Sequence, residues 1–550
     1  MGDNLSSAVR LRRRGLALLL AAAAALSLAA CGSGSSGKEG GVLRATFASF
    51  PDYLDPALSH SPEGWSAIYD TYVPLLTYNH AAGKAGSEVI PGLARSLPKI
   101  SADEKTYSFQ LRDGLRYSDG TPVKASDFKH AVERVFLLNS SGSPFFTDIA
   151  GAQAFAKSKQ GGISGIATDD KTGEITIHLV KPRGTFEQEL ALPFTAPLPA
   201  DTAAEDLSGD PPPATGPYEI TSSKPGRGWS YARNPYWAKA NGKAMPQLPG
   251  GHVDKIEVTV LRNPATQVAD VESGRFEWMQ NAPPPDLYAS VKDQYEGTQF
   301  RVEPTESTYF FWMNTTEAPF DDVKVRQAVN YAVNPEALER IYAGQLVGTQ
   351  QILPPGMPGY EKYELYPYDV ERAKKMIDEA DPADREITVW TDDEDTQEEA
   401  GAYYAEVLKE IGFDAKLQVI NADNYFTVIG NASTQDLDTG WASWFQDYPH
   451  PNDFFQPMLS EESIFPTNTS NLARIAVPRL SKKIDELAEK PLDSQVESEY
   501  AALDKEFMEL APWAPYGTST YPTFVSSAID LDKVIYNPTF NQDLTSFQFK

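Results

Sequence analysis

Residues 386–420 carry the strictest folding instruction in this chain. Ile387–Trp390 reads as a strand, and Thr396–Ile411 as a helix with Ala400, Tyr403, Tyr404, Val407, Leu408 and Ile411 on its buried face. Gly412 stops the helix, and Ala415–Ile420 reads as a second strand. A strand, helix and strand in this order form a βαβ unit, with parallel strands joined by a right-handed crossover. The fold must therefore be α/β in at least this part. Short elements alternate irregularly elsewhere: a strand at Val42–Phe47, a helix at Ser66–Leu76, and alternating apolar positions at Tyr107, Phe109 and Leu111 and at Ile175, Ile177 and Leu179. Asp113-Gly114 and Asp119-Gly120 flank Leu115–Ser118 as a small meander. Lys124–Leu138 is an amphipathic helix, Ile256–Val260 a strand followed by a helix to about Ser273, and Tyr309–Asn314 an aromatic strand. Helices follow at Val323–Tyr331 and Pro335–Tyr342, the second capped by Asn334 and closed by Gly344.

The first thirty residues read as an address. Arg10, Arg12, Arg13 and Arg14 precede an apolar run of small residues, the pattern of a secretory signal. The run ends at Leu28-Ala29-Ala30-Cys31, which resembles the bacterial lipobox, where cleavage leaves the cysteine N-terminal and lipid is attached to it. Cys31 is the only cysteine, so an intramolecular disulfide framework and a cysteine-built metal site are excluded. Residues 31–40 are then a lipidated cysteine and a flexible Gly/Ser tether. Losing residues 1–30 removes four Arg and one Asp from 48 basic and 76 acidic residues, so the net charge moves from -28 to -31. That balance excludes a nucleic-acid footprint, which needs a basic face, and favours solubility beside an anionic surface.

No Walker A loop, nucleophile elbow or zinc-binding helix motif occurs. The six histidines are scattered, and no cofactor or metal is expected. Asp392-Asp393-Glu394-Asp395 lacks the glycine and spacing of a calcium loop and suits the N-terminus of the helix after it.

An ordered set of segments resembles the family 5 extracellular solute-binding proteins. It comprises Gly40–Arg44 with Leu54-Asp55-Pro56, Pro91–Pro98 running into residues 106–128 (TYSFQLRDGLRYSDGTPVKASDF), Thr215–Tyr218, Asn234–Trp237, Asn314 with residues 319–333, and Tyr368–Lys375. The resemblance implies a type II periplasmic-binding-protein-like α/β fold: two lobes joined by a hinge, with an extra domain in the larger lobe. Mapped here, lobe 1 takes 41–70, 216–302 and 512–550, the extra domain 71–215, and lobe 2 303–511. It further implies a lipid-anchored receptor of an ABC importer, outside the cell membrane, without enzymatic activity. A solute, foremost a di- or oligopeptide, would lie between closing lobes and pass to permease subunits. The expected state is a monomer touching the membrane only through its anchor.

Gly440–Phe455 (GWASWFQDYPHPNDFF) packs six aromatic residues around Asp447, with Pro449 and Pro451 stiffening the loop. In peptide-binding relatives the acid at this place receives the free α-amino group, which implies that role for Asp447, with Trp444 and Tyr448 beside it. His450 departs from the pattern, where relatives often have Asp. On the aromatic strand 309–314, side chains alternate, and Phe311 and Met313 are expected to face the cleft. Ser49 and Phe50, in the loop after the first strand, are expected at its border. Two other readings stay open on sequence: a tethered extracellular hydrolase of peptides or glycans, and a solute sensor on the same fold.

Overall fold

The structure, a computed structural model, describes residues 37–550. The signal segment 1–30 and Cys31 lie outside the described residues. The backbone is organised around a 12-stranded sheet. At one end Asp414–Ile420, Glu386–Asp392, Thr439–Phe445 and Ser307–Met313 lie side by side. At the other lie Trp278–Met279, Val42–Phe47, Lys255–Val260, Gly228–Arg233 and Tyr218–Lys224. The predicted βαβ unit forms: Ile387 pairs with Ala415 in parallel register, and helix Asp395–Glu410 spans the crossover. Ala400, Tyr404 and Leu408 are fully buried on the inner face of that helix.

One strand, Trp513–Val525, belongs to both ends. Its first half runs antiparallel to Ser307–Met313 and its second half to Phe300–Pro304. Residues 300–313 and 513–525 are therefore paired segments crossing between two bodies, each with its own apolar core. One core gathers Leu43, Trp65, Val132, Trp229 and Phe547, the other Phe311, Val329, Leu408, Phe455 and Trp513. This is the two-lobe arrangement of a type II binding protein.

At the crossing the ladder is replaced by hydroxyls. Thr305 Oγ1 lies 2.7 Å from Ser307 Oγ and 2.8 Å from Ser519 Oγ, and the two serine oxygens are 3.0 Å apart. Side-chain hydroxyls thus bond each other and the backbone where strand pairing changes partner.

The larger lobe carries an additional antiparallel sheet, in the order Lys99–Ile100, Thr106–Gln110, Glu174–His178 and Ile166–Asp169. Helix Ala125–Leu137 buries Phe128, Ala131, Val132, Val135 and Phe136, the face its periodicity predicts. The same helix places Arg134 against Asp55 of the Leu54-Asp55-Pro56 segment. Nη1 and Nη2 donate to the two carboxylate oxygens at 3.0 and 2.8 Å, and both side chains are 0% exposed. Arg134 also donates to the carbonyls of Ala203 and Glu205.

Two local expectations change. The helix predicted at Ser66–Leu76 runs over Pro62–Ile68, starting at the N-cap Ser61 with Pro62 in the first turn. It ends early because the carbonyls of Asp70 and Thr71 accept hydrogen bonds from Thr215, Gly216 and Tyr218 instead of from a next helical turn. The meander over Leu115–Ser118 reduces to a single bridge between Arg116 and Pro122. No helix among the described residues is long and apolar enough to cross a membrane.

Arg134→Ala leaves the Asp55 carboxylate buried and unpaired, which should cost about 3–5 kcal/mol. Urea unfolding followed by tryptophan fluorescence checks this; a loss under about 1 kcal/mol would mean the pair does not clamp the opening loop.

Candidate ligand-binding cleft

Strand Thr439–Phe445 runs antiparallel to Ser307–Met313, with Trp441 opposite Phe311 and Trp444 opposite Thr308. Alternation sends Trp441 and Trp444 to different surroundings. Trp441 stacks on Tyr425 at 5.6 Å within the core, while Trp444 borders open space. The strand ends where the Gln446 N–H donates to the Glu306 carbonyl at 3.0 Å. The chain then turns through Asp447-Tyr448-Pro449-His450-Pro451 into helix Asn452–Leu459. Asp453, in the first turn of that helix, accepts the Asp447 N–H at 2.7 Å, which fixes the loop. Burial, with the Asp447 charge beside it, pushes the Asp453 carboxyl well above the usual range.

Asp447 faces the first lobe across the cleft. Its Oδ1 lies 3.1 Å from His60 Nε2. His60 is positioned from its own side: its N–H donates to Asp52 at 2.7 Å, Nδ1 lies 2.9 Å from Ser141 Oγ, and the ring stacks on Trp65 at 5.5 Å. Phe194 meets the imidazole edge-on at 5.3 Å. Burial lowers the His60 pKa, but the charge and hydrogen bond of Asp447, aided by Asp52, outweigh it and leave the value raised. Tyr448 is buried in the first-lobe core, edge-on to Phe145 at 6.0 Å. The loop thus reaches from one lobe into the other.

Three cavities meet around Trp444. The largest, about 750 Å³, lies between Asp447, Tyr448 and Asn452 on one side and His60, Phe145 and Arg183 on the other. A second, about 370 Å³, is lined by Phe310, Phe426, Ala442, Met458 and Leu472. The third, about 290 Å³, lies on the hinge side between Asp447 and Glu306. The large cavity has six acidic lining residues (Asp148, Asp447, Asp453, Glu462, Asp485, Glu489) against Lys181 and Arg183. Arg183 is already engaged: Nη1 donates to Asp148 at 2.8 Å, and Nε and Nη2 donate to Glu189 at 2.9 and 2.6 Å. The cleft is apolar at its walls and negative in its polar groups.

Trp444, Asp447 and Tyr448 are brought together at this cleft. Phe311 and Met313 are not: both are 0% exposed in the second-lobe core, and Phe311 stacks on Tyr404 at 3.9 Å. The opposite face of the strand borders open space, through Phe310. The expectation for Phe311 and Met313 fails because a tyrosine from helix Asp395–Glu410 covers that face. Ser49 is exposed and Phe50 packs edge-on against Trp229 at 5.4 Å; neither lines the three cavities. His450 is fully buried, accepts the Asn452 N–H at Nδ1, and is pushed down to about 3 by burial, so it is a neutral core residue. His60 and Glu306 carry no signal in the sequence, since Asp447 and Gly356, which face them, come from distant segments.

Asp70, His80 and Asp543 place three possible ligand atoms within 4.8 Å of one another, away from the cleft. His80 Nδ1 lies 2.7 Å from Asp543, and Asp70 accepts the Leu544 N–H at 2.9 Å. Burial and the Asp543 charge hold the Asp70 carboxyl well above its usual range. Burial pushes Asp543 the same way, but His80 and Thr545 outweigh it and the value is lowered. One neutral acid, one carboxylate and one imidazole account for this cluster, which ties the C-terminal segment to residues 69–80.

Residues 88–465 match the family described as bacterial extracellular solute-binding proteins, family 5. The chain belongs to that family. The family 5 protein is 25% identical over 471 residues to the oligopeptide-binding protein OppA of Bacillus subtilis, covering 78% of this chain and 81% of the relative. It is 27% identical over 432 residues to the dipeptide-binding protein of Escherichia coli, covering 73% and 77%. Among solved structures it resembles the clavulanic acid biosynthesis oligopeptide binding protein 2, with a TM-score of 0.85 at 23% identity over 93% of this chain and 96% of that one. As a member, the protein is an extracytoplasmic solute-binding protein, and the cleft between its lobes is where a solute fits.

The tie between Asp447 and His60 makes a titration prediction. With the folded His60 pKa raised, its stabilisation is complete below the ordinary imidazole value near 6.5 and is lost as pH rises through the higher folded value. In ligand-free protein the His60 ring proton should titrate above 6.5 by NMR, and Asp447→Asn should lower the value. An unchanged midpoint in the variant would show that the two groups do not pair in solution.

Proposed function

We propose that this protein is the lipid-anchored receptor of an ABC importer, and that it captures di- or oligopeptides by their free amino end. The observation that carries this reading is the position of Asp447: a carboxylate on a stiffened loop, between Trp444 and the aromatic wall of His60, Trp65 and Phe145, lining both the largest cavity and the hinge-side one. A carboxylate in such surroundings gains a charge-assisted bond to an ammonium group, and pairing offsets the desolvation of both. An arriving α-ammonium replaces the His60 contact or shares the carboxylate with it. Trp444 and Tyr448 supply apolar surface for the first residues of the peptide. The names of the relatives, an oligopeptide-binding and a dipeptide-binding protein, support the ligand class.

The lobes follow the division 41–70, 216–302 and 512–550 against 303–511, with 71–215 as the extra domain; the separate apolar cores support it. Ligand spanning the cleft favours the closed arrangement because only there do both lobes touch it. The protein performs no chemistry on the peptide. It hands the peptide to the permease subunits, works as a monomer, and meets the membrane only through Cys31 and its tether, which keep the receptor near the pore.

Calorimetry with ligand-stripped protein tests the site. Asp447→Ala should weaken binding of peptides with a free N-terminus at least 100-fold, and N-acetylation of the same peptides should weaken binding to the unaltered protein similarly. Equal affinities in all these combinations would remove Asp447 from the site.

A further inference from the structure

The hinge-side cavity contains a carboxylate that Asp447 does not account for. Its walls include Trp65 and Tyr536, and its polar groups include Glu306, Asp447, His60, Gln446 and Asn541; among the described residues no Lys or Arg lines it. At ~30 Å³ per water molecule, its volume of about 290 Å³ holds a side chain of lysine or arginine size.

Glu306 stands at the crossing itself, between Thr305 and Ser307. One carboxylate oxygen is backed by the Gly356 main chain, whose N–H donates to it. A Cβ at residue 356 would lie 1.7 Å from Glu306 Oε1, so only glycine leaves room for this carboxylate. The other oxygen, Oε2, is buried and has no hydrogen-bond partner. The groups around it are Asp447 and His60 across the cavity and Tyr536 on the C-terminal segment, which also feels Glu303 of strand Phe300–Pro304. Glu303 already pairs with Arg301. Nothing cationic is assigned to Glu306. Burial alone moves its carboxyl up to about 7, against the pull of the Gly356 N–H. A half-buried acid with an idle oxygen either stays protonated or awaits a cation, and with His60 committed to Asp447 that place is left to a ligand.

We propose that Glu306 and the hinge-side cavity form a second subsite that takes a cationic side chain, so that the preferred ligand is a basic peptide with its amino end at Asp447 and a lysine- or arginine-type group at Glu306. This rests on the reading of Asp447 as the ammonium site. It adds that the two acids are read by two charges on one ligand, and that one of the two sits where the lobes pivot. A cation arriving at Glu306 displaces its proton, so affinity for a basic peptide rises as pH climbs through neutrality and levels off above it. Affinity for a neutral peptide has no such rise from this group.

The test is calorimetry of ligand-stripped protein with trialanine and with the three tripeptides carrying one lysine at the first, second or third position. At pH 7.5 at least one lysine peptide should bind tenfold or more tighter than trialanine. Glu306→Gln, close to isosteric, should remove that advantage while leaving trialanine within twofold. Unaltered protein provides a second readout that needs no variant: at pH 6.5, in two buffers of different ionisation enthalpy, the favoured lysine peptide should release more protons than trialanine, whose amino end displaces only His60 from Asp447. A lysine advantage that survives Glu306→Gln, the absence of any advantage, or equal proton release by both peptides overturns the subsite. If trialanine itself fails to bind, or binds equally well to Asp447→Ala, the peptide reading falls and the subsite falls with it.

Discussion

Everything in this molecule hangs on one pair of antiparallel segments, 300–313 and 513–525. They are the backbone by which two separate cores share one sheet. A strand that changes partners midway must still satisfy its N–H and C=O groups at the point of change. Here Thr305, Ser307 and Ser519 bond to one another and to the strand, and Thr518 donates to the Thr305 carbonyl at 3.1 Å. Hydroxyls suit this place because they rotate to follow a changing geometry, where a rigid ladder could not.

The same crossing fixes the cleft. Because Ser307–Met313 pairs with Thr439–Phe445, the end of the second strand and the loop after it emerge beside the pivot. The loop therefore carries Asp447 to a region where both lobes are close, and Tyr448 inserts into the core opposite. The contact between Asp447 and His60 joins residues 387 positions apart in sequence. Its electrostatics follow from burial: the carboxylate facing the imidazole raises its pKa against burial, and burial, with Asp447 beside it, raises the Asp453 carboxyl.

Much of this was legible in the chain itself. The βαβ unit, the aromatic strand and the amphipathic face of Ala125–Leu137 follow from periodicity, because burial on one side of an element imposes its repeat on the sequence. The aromatic loop around Asp447 was legible as a cluster because its residues are contiguous. Which face of strand 307–313 meets open space was not, since alternation marks two faces without saying what covers each. Tyr404 decided that against Phe311, and Phe310, itself buried, borders the cavity on the other side. The early end of helix Pro62–Ile68 was equally hidden, because the hydrogen bonds that end it come from residues 215–218.

The sequence alone determined the class of fold, the signal-like start, the net charge and the loop that bears the acid, for these depend on neighbours in the chain. Tertiary structure alone decided that His60 faces Asp447, that His450 is a neutral core residue, and that Glu306 sits half-buried with one buried, idle oxygen. A side chain's charge and reach are written in its own identity. Its solvent and its partners are set by segments hundreds of residues away, and those settle whether it packs, pairs or waits for a ligand.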